Sequence, residues 1–387
     1  MNDCEMIVPK NASVIMMANT YDFLLRYKNS LSATLISRGY SIAWVFPGES
    51  VSNVGNSSDG GCISLTQLNC PRLGISTLAA YFRIILRLSL VNRKHILVTH
   101  TILPNIAACL SYILLRPRYL KIAIFVSGFG PCRIRNSLRA RLLGRVYLAL
   151  LRYAAEIGQN LSIFLLNNDD LNLVQDYNPN RKCIVVRESG TESHDIANGF
   201  SAYSEKDYLC TPRLNVLFFG RFLLEKGLHD FAETIHLCKK LELSLDYVVA
   251  GSVDNGNSSS WSQELLSKNF IDVKVASEVG YKEMFQSAHI LLFPSYREGH
   301  PLYLLRAMAY GVVPIVYRSA GSDVDVIHGY NGLISAGNSP NGLVSNLLSL
   351  TQDRQYLFTL ASNCVNYARV NTQDSADVTL ANHLTTI

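Results

Sequence analysis

Two groups of charged residues and glycines in the second half of the chain have the residue types and the spacing to bind a phosphorylated ligand. In the first group, Gly220, Arg221, Glu225, Lys226 and Gly227 follow the apolar run LNVLFF, which predicts a buried strand. A glycine at the end of a strand lets the backbone turn sharply and approach a ligand. Arg221 and Lys226 then lie on one loop just before a helix, where their cationic groups can clamp a diphosphate. The pattern is equally compatible with a solvated loop, and the residues alone leave both interpretations open.

The second group lies in REGHPLYLLRAMAYG, which runs from Arg297 to Gly311 after the predicted strand HILLFP. Pro301 fits the first position of a helix, where no amide hydrogen is needed, and the amides of residues 302–304 would then point at a phosphate. Glu298, in the loop just before this helix, could accept hydrogen bonds from sugar hydroxyls or simply interact with the helix dipole. The candidate ligand-binding residues of this group are Glu298, Gly299, His300, Pro301 and Leu302.

The first half of the chain carries weaker candidates at the ends of predicted strands. Asn19 and Thr20 follow VIMMA, His100 ends HILVTH, and two glycines, Gly128 and Gly130, follow KIAIFV. The glycines permit close approach of the backbone to a ligand. His100 is expected to lie at the same edge, where it would either contact an acceptor substrate or have a structural role.

Length and composition favour a protein of two domains in a reducing, cytosolic environment. The 387 residues are 48% apolar, which is enough for two separate cores. The sequence has no apolar run of the roughly 18 residues that span a bilayer, and its start, MNDCEMIVPKNAS, lacks the order of a signal peptide. The nine cysteines are scattered without a CxxC pair, so we expect reduced thiols and no zinc site.

The two halves of the chain carry opposite net charge. Residues 1–190 contain 21 Lys and Arg against 10 Asp and Glu, whereas residues 191–387 contain 14 against 20. The basic half suits an anionic membrane surface or a phosphate-bearing acceptor, and no nucleic-acid-binding motif accompanies its charge. Two predicted helices concentrate arginines among apolar residues, which suits insertion at an anionic interface but also a solvated face. The arginines predicted to face the membrane are Arg83, Arg87, Arg133, Arg135, Arg139 and Arg141.

Strands and helices are predicted in alternation, twice over, with a polar stretch between the two runs. Such alternation predicts parallel sheets that helices cover on both faces. We therefore expect an α/β protein of two Rossmann-like domains whose sheets face each other across a cleft, with ligands at the carboxyl ends of the strands. The expected divisions are residues 1–195 for the first domain, 196–370 for the second, 371–387 for a tail that returns to the first, and an irregular linker across 190–213.

Four segments of the second half resemble a known family. FFGRFLLEKG, the AG dipeptide at Gly251, LLFPSYREGHPLYLLRAMAYGVVPIV and GYNGLI are similar in order and spacing to the donor-binding half of retaining glycosyltransferases of family 4, which have the GT-B fold. The first half resembles the family more loosely. Its segments ANTYDFLLRYKNSLSATLISRGYSIAWVFP, FVSGFG and IFLLNNDD are similar to those of members that build bacterial surface polysaccharides such as O-antigen and capsule.

The resemblance implies a transfer reaction and gives roles to the candidate residues. The donor would be a UDP- or GDP-activated hexose or N-acetylhexosamine, with Arg221 and Lys226 at its diphosphate and Glu298 at its sugar. These three would be the catalytic residues, and Gly220 and Gly251 would complete the donor-binding set. The first domain would bind a polyprenyl-diphosphate-linked saccharide at the cytoplasmic face of the membrane. Transfer in the family retains the configuration of the anomeric carbon, and no metal or other cofactor is required.

Arg306 departs from the family pattern, in which this residue is usually a glutamate that accepts hydrogen bonds from the ribose. Arginine has five donors and no acceptor, so Arg306 cannot take that role directly. Four interpretations are open: a structural role beside Glu298 or between Tyr303 and Tyr310, a contact with phosphate, weakened ribose recognition, or an inactive enzyme. Because Lys226 and Glu298 are retained, we expect an active enzyme. The rival functions are a sugar-nucleotide epimerase or hydrolase of the same fold, and a silent nucleotide-sugar-binding subunit of a partner transferase.

Overall fold

The computed structural model divides the chain into two units. Unit 1 comprises Met1–Glu188 with Asp374–Ile387, and unit 2 comprises Ser189–Gln373. Among the helices that the structure describes, none is long and apolar enough to cross a membrane. The described residues are 12–48, 63–72, 74–91, 94–129, 138–176, 178–179, 181–199, 205–254, 259–270, 274–276 and 281–387.

Unit 1 is built around a parallel sheet. Its strands are β1 (Val14–Met17), β2 (Ile42–Pro47), β3 (Ser64–Leu68), β4 (His95–His100), β5 (Leu120–Val126), β6 (Leu161–Leu165) and β7 (Cys183–Val185). Within the described residues they follow the order β3-β2-β1-β4-β5-β6-β7, and all neighbours are parallel. Before the chain enters unit 2, the helices of unit 1 are α1 (Tyr21–Ser37), α2 (Ile75–Leu90), α3 (Ile102–Leu115), α4 (Leu138–Ile157) and α5 (Asn168–Gln175).

Apolar side chains cover both faces of the sheet in unit 1. Strands β1 and β4 are buried along their whole length, as expected for parallel strands between two layers of helices. One core cluster includes Ile84 of α2 and Leu151 of α4, and a second includes Leu24 of α1. The sheet therefore lies between two helical layers.

Unit 2 repeats this architecture with a smaller sheet. Its strands are β8 (Leu214–Phe219), β9 (Leu245–Ala250), β10 (Lys274–Ala276), β11 (Ile290–Phe293), β12 (Val313–Val316) and β13 (Leu333–Ile334). In the part of the chain that is described, their order is β10-β9-β8-β11-β12-β13, again parallel throughout. Its helices are α6 (Ser193–Gly199), α7 (Glu205–Cys210), α8 (Leu228–Lys240), α9 (Gln263–Asn269), α10 (Tyr281–Ser287), α11 (Leu302–Ala309), α12 (Pro340–Gln352) and α13 (Arg354–Val370).

The last helix, α14 (Gln373–Thr386), supplies core residues to unit 1. Leu380, Ala381 and Leu384 are buried in the same cluster as Leu24 and Leu31 of α1. The return to the first unit begins at Asp374, three positions after the residue where the sequence suggested a tail.

The stretch predicted as an irregular linker, residues 190–213, contains two helices, so that prediction is wrong for α6 and α7. Tertiary contacts explain the difference. The Tyr208 hydroxyl of α7 donates to the carbonyl oxygen of Gly311 at 2.9 Å, and Asp195 of α6 accepts from the Tyr310 hydroxyl at 3.1 Å. The division between the units falls at Glu188 rather than at residue 195.

Candidate active site

The carboxyl ends of β8 and β11 bring the two predicted ligand-binding groups together. Strand β8 ends at Phe219 and leads into Gly220, whereas β11 ends at Phe293 and leads into the loop that carries Glu298. The two strands are parallel neighbours, so both loops leave the same edge of the sheet. Ligands of open α/β sheets bind at this edge.

Gly227 lets the loop after β8 pack directly against the loop after β11. Its φ is +74°, and a Cβ there would come within 2.0 Å of the carbonyl oxygen of Pro294. The amide of Tyr296 donates to the carbonyl oxygen of Glu225 at 3.0 Å. These backbone contacts fix Lys226 beside the second loop.

Lys226 and Glu298 form the centre of the candidate site. The Nζ of Lys226 donates to Oε1 of Glu298 at 2.5 Å, and the Ser295 hydroxyl donates to the same oxygen at 2.6 Å. The two charged side chains are 16% and 11% exposed, so they are largely shielded from water yet reachable. A cation and a carboxylate at contact distance suit a ligand that carries both phosphate and hydroxyl groups.

Arg221 lies on the same loop in a more open position. Its side chain is 56% exposed and donates to Oδ2 of Asp254 at 3.0 Å. An exposed ion pair contributes about 0–1 kcal/mol, so a diphosphate can replace Asp254 as the partner of Arg221. Gly251, after β9, permits close contact with this loop because a Cβ there would lie 1.8 Å from the carbonyl oxygen of Gly220.

Helix α11 begins at Leu302, and Pro301 precedes it as the capping residue rather than forming its first position. The amide of Leu304 donates to the carbonyl oxygen of Pro301 at 3.0 Å. The prediction that all the amides of residues 302–304 are available to a phosphate is therefore wrong for Leu304. The positive end of the α11 dipole still points at the loop of Glu298.

His300 holds that loop in place. Its side chain is 2% exposed, and Nε2 lies 2.7 Å from Oδ2 of the buried Asp325. The Tyr367 hydroxyl donates to the other oxygen of Asp325 at 3.2 Å. His300, which was expected to bind donor, therefore contacts Asp325, while the amide of Glu298 donates to the carbonyl oxygen of Ala320 at 2.8 Å.

Arg306 contacts neither Glu298 nor the site's lysine in the described structure. Its guanidinium pairs with the carboxylate of Glu192, and its Nε lies 3.6 Å from Oδ2 of Asp195. It also lies over the rings of Tyr281 and Tyr303, at 5.2 and 5.9 Å from their centroids. Of the open interpretations, a structural role fits best, although the main partners differ from those expected.

The acidic partners of Arg306 were missed by the sequence analysis because they lie in the stretch predicted to be irregular. Asp195 is fully buried, and its burial raises the pKa of its carboxyl above the ordinary value, an effect that Arg306 opposes. Glu192 and Asp195 lie in a polar stretch without a periodic pattern, well before β8, and so gave no signal of this pairing. The acids could be found only by their contacts.

Thr20 and His100 have structural contacts in unit 1. The Thr20 hydroxyl accepts from the amide of Phe23 at 3.2 Å and so caps α1. The His100 ring is fully buried, with Nδ1 at 3.6 Å from Oε1 of Glu188, and burial lowers the pKa of His100 well below its ordinary value. These contacts favour the structural role for His100, and its contact with an acceptor stays a prediction.

Asn19 and Gly128 lie at the carboxyl edge of the sheet in unit 1, after β1 and β5. The amide of Asn19 donates to the Thr101 hydroxyl at 3.2 Å, and Gly128 has a φ of +98°. Their contact with an acceptor stays a prediction. Gly130 lies outside the described residues.

The predicted membrane-facing arginines are partly described. Arg83 and Arg87 on α2 and Arg141 on α4 are exposed. Arg133 and Arg135 lie outside the described residues, as does the side chain of Arg139. Large apolar side chains on the outer face of α4 are exposed as well: Leu138 at 81%, Leu142 at 64% and Val146 at 47%.

Parts of the chain are similar in sequence to known glycosyltransferases. Residues 206–371 match the family model described as glycosyl transferases group 1. Over 251 residues the chain is 25% identical to N,N'-diacetylbacillosaminyl-diphospho-undecaprenol alpha-1,3-N-acetylgalactosaminyltransferase of Campylobacter jejuni, a match that covers 63% of this chain and only 64% of that relative.

Two solved structures show the same fold. Sucrose-phosphate synthase from Thermosynechococcus elongatus superposes with a TM-score of 0.76 at 14% identity, covering 96% of this chain and 98% of the other. WaaG, a glycosyltransferase involved in lipopolysaccharide biosynthesis, superposes with a TM-score of 0.67 at 15% identity, covering 96% and 99%. Identities this low establish the fold alone.

The two parallel α/β units have the GT-B fold of these solved structures, as the sequence predicted. The match to the model of group 1 glycosyl transferases covers a domain, residues 206–371, that makes up less than half of the chain. This domain holds the Lys226 and Glu298 site.

Proposed function

We propose that the chain is a retaining, metal-independent transferase that moves a hexose or N-acetylhexosamine from a UDP- or GDP-sugar to a polyprenyl-diphosphate-linked saccharide. The product would enter a surface polysaccharide such as O-antigen or capsule. The observation that carries the proposal is the contact of Lys226 with Glu298 at the carboxyl edge of the unit 2 sheet. The sequence segments that resemble retaining glycosyltransferases of family 4 support the same reaction.

The positions of the site residues suggest a role for each of them in binding the donor and in stabilising the leaving diphosphate. The diphosphate of the donor would lie against Lys226, Arg221 and the start of α11, whose positive charge stabilises an anion. The sugar hydroxyls would donate to the Glu298 carboxylate. As the bond from the anomeric carbon to the diphosphate oxygen breaks, negative charge grows on the diphosphate, and Lys226 would stabilise it.

Retention of configuration follows from attack on the face that the diphosphate leaves. The acceptor oxygen forms its bond to the anomeric carbon on that face, and the acceptor proton passes to the departing diphosphate oxygen. No side chain of unit 1 is needed as the base. This agrees with a His100 ring that is buried away from solvent.

A lipid-linked acceptor and a peripheral position at the cytoplasmic membrane face are supported by the surface of unit 1. Exposed apolar side chains on α4 lie beside Arg141 and Arg145, a combination that suits an anionic interface. The name of the Campylobacter relative includes a diphospho-undecaprenol acceptor.

Radiolabelled UDP- and GDP-sugars, incubated with the protein and a membrane extract, test the proposal. Label in the lipid fraction supports transfer to a lipid-linked acceptor. A sugar product without lipid label would instead indicate the epimerase or hydrolase, and donor binding without turnover would indicate a silent partner subunit.

A further inference from the structure

Unit 2 contains a second cluster of charged and aromatic side chains, which we call the Arg306 cluster. Arg306 is its centre, and the residues around it come from α6, the segment before it, α10, α11 and the residue that follows α11. Its contacts link groups far apart in sequence, since Arg306 and Glu192 are 114 positions apart. The cluster comprises Glu192, His194, Asp195, Tyr281, Tyr303, Arg306 and Tyr310.

The cluster lies beside the carboxyl edge of the sheet. The ring of Tyr303 packs at 4.6 Å from that of Phe219, the last residue of β8, which directly precedes Gly220. Arg306 lies one turn further along α11 than Leu302, about 6 Å along the helix axis at 1.5 Å per residue. A nucleoside whose phosphates lie at the start of α11 would therefore place its ribose within reach of this cluster.

Arg306 itself cannot receive a hydrogen bond from a sugar hydroxyl, because a guanidinium has donors only. Its side chain is 14% exposed, shielded by two tyrosine rings and two carboxylates. Its charge is already matched by the acids of the cluster. Arg306 thus holds the neighbouring carboxylates in position and does not itself contact the ligand.

The two carboxylates held by Arg306 differ in how open they are. Asp195 is fully buried and accepts from the Tyr310 hydroxyl at 3.1 Å and from the Tyr281 hydroxyl at 3.4 Å. Glu192 is 38% exposed; one oxygen faces Arg306 and the other lies 3.2 Å from Nδ1 of His194. A carboxylate has about four lone-pair positions, so Glu192 keeps acceptor capacity toward solvent.

We propose that Glu192, positioned by Arg306, accepts hydrogen bonds from the ribose hydroxyls of the nucleotide donor. This inference rests on the proposed function, since it requires a nucleotide at the start of α11. It assigns the ribose contact to a residue outside the α11 motif, supplied by the segment where the chain enters unit 2. Arg306 then acts as a positioning residue.

Binding of nucleotides with and without the ribose diol tests the assignment. UDP, GDP and their 2′,3′-dideoxy forms are titrated calorimetrically into the full-length protein and into Glu192→Gln and Glu192→Ala. We expect the unchanged protein to bind one ribonucleotide about tenfold or more tightly than its dideoxy form, as for hydrogen bonds to a charged group. Both variants should lose most of that preference while binding the dideoxy form as before.

Asp246→Asn is the matched control. Asp246 forms an ion pair with Arg213 in the same unit and is exposed, at the opposite end of β9 from Gly251. This variant should keep the full preference for the ribonucleotide, and thermal unfolding checks that every variant is folded.

The outcomes separate the inference from the function on which it depends. If neither UDP nor GDP binds, the proposed function fails and the inference fails with it. If a ribonucleotide binds but the dideoxy form binds equally well, or if the Glu192 variants keep the preference, the assignment of Glu192 is wrong while the proposed function stands.

Discussion

Lys226 and Glu298 form a hydrogen-bonded ion pair in a position that is mostly closed to water. Each group is less than one fifth exposed, so an unpaired amine or carboxylate here would lose hydration without compensation. A donor would replace this one contact with two, phosphate on the amine and hydroxyl on the carboxylate. At the scale of the residue, the pair keeps both charges in place for the ligand.

Arg306 is expected to matter for stability because Asp195 depends on it. Arg306→Ala leaves a fully buried acid without its cation, and we expect a loss of about 3 kcal/mol in the free energy of unfolding. Arg306→Ala with Asp195→Asn should recover part of the loss, since the remaining amide carries no charge. Urea unfolding of the single and double variants measures this coupling.

Arg213→Ala serves as the control for that experiment, because its partner Asp246 is 55% exposed. Its effect should stay below about 1 kcal/mol. Equal losses for Arg306→Ala and Arg213→Ala, or strictly additive effects of Arg306→Ala and Asp195→Asn, would show that Asp195 does not need Arg306.

Because the His100 ring is buried, we expect the stability of the protein to depend on pH. Burial and nearby Lys28 lower the pKa of His100 well below the ordinary 6.5, so the folded protein holds the ring neutral. The unfolded chain binds the proton more readily, and stability is therefore full above about pH 6.5 and falls as the pH drops below it. His100→Phe, which keeps the ring packing against Phe125, should reduce this fall.

Thermal unfolding of both proteins at pH 7.5 and at pH 5 supplies the measurement. Other groups titrate in both proteins, so the difference between them isolates His100. An unchanged fall in the melting temperature of His100→Phe would mean that another group causes the acid sensitivity.

At the scale of the element, burial decides what the sequence could reveal. Strand β4 was predicted at His95–His100 and is found there, because a strand covered on both faces reads as a continuous apolar run. Strands β10 and β13 have three and two residues, too few to show any period, and were missed. Strand β3, SLTQL, is an edge strand with mostly part-exposed residues, and it also lacks the apolar run.

The candidate site was predictable where its residues follow strands in order along the chain. Lys226 and Glu298 come after β8 and β11, and the topology of parallel neighbours brings them together. The partners of Arg306 were not predictable in this way. Glu192 lies in a polar segment with no periodic pattern, and only the folded chain brings it to α11.

Helix α14 offers a test of the packing in unit 1. Leu380 is fully buried against the α1 side of the sheet, so Leu380→Ala should lower the free energy of unfolding by about 2–5 kcal/mol. Val378→Ala, on the same helix but 45% exposed, should change it by less than about 0.5 kcal/mol. Similar losses for the two variants in urea unfolding would mean that α14 is not docked as described.

At the scale of the whole molecule, the chain leaves unit 1 after Glu188 and returns to it at Asp374. The beginning and end of unit 2 are held together by hydrogen bonds: the amide of Thr191 donates to the carbonyl oxygen of Asn371 at 2.8 Å, and that of Gln373 donates to the carbonyl oxygen of Thr191 at 2.9 Å. Unit 2 is therefore inserted in the chain between the two segments of unit 1, and the candidate site of Lys226 and Glu298 lies in unit 2.

The proposed membrane contact belongs to unit 1 and can be tested on vesicles. Leu142 on α4 is 64% exposed, and Leu142→Gln should weaken binding to vesicles that contain phosphatidylglycerol by about tenfold, since one apolar side chain no longer enters the interface. Leu241→Gln changes a leucine of unit 2 that is 55% exposed and should have no effect. Equal binding of both variants in a sedimentation assay would argue against α4 as the contact.

Transfer of radiolabelled sugar into the lipid fraction by site variants tests the central claim most directly. Glu298→Ala should abolish turnover, and Lys226→Ala should reduce kcat by about 10²–10³-fold because it removes a charge that stabilises the leaving diphosphate. Asp246→Asn should leave the rate unchanged. Wild-type rates in both Glu298→Ala and Lys226→Ala, with all variants folded, would show that the site at the carboxyl edge of β8 and β11 does not carry the reaction.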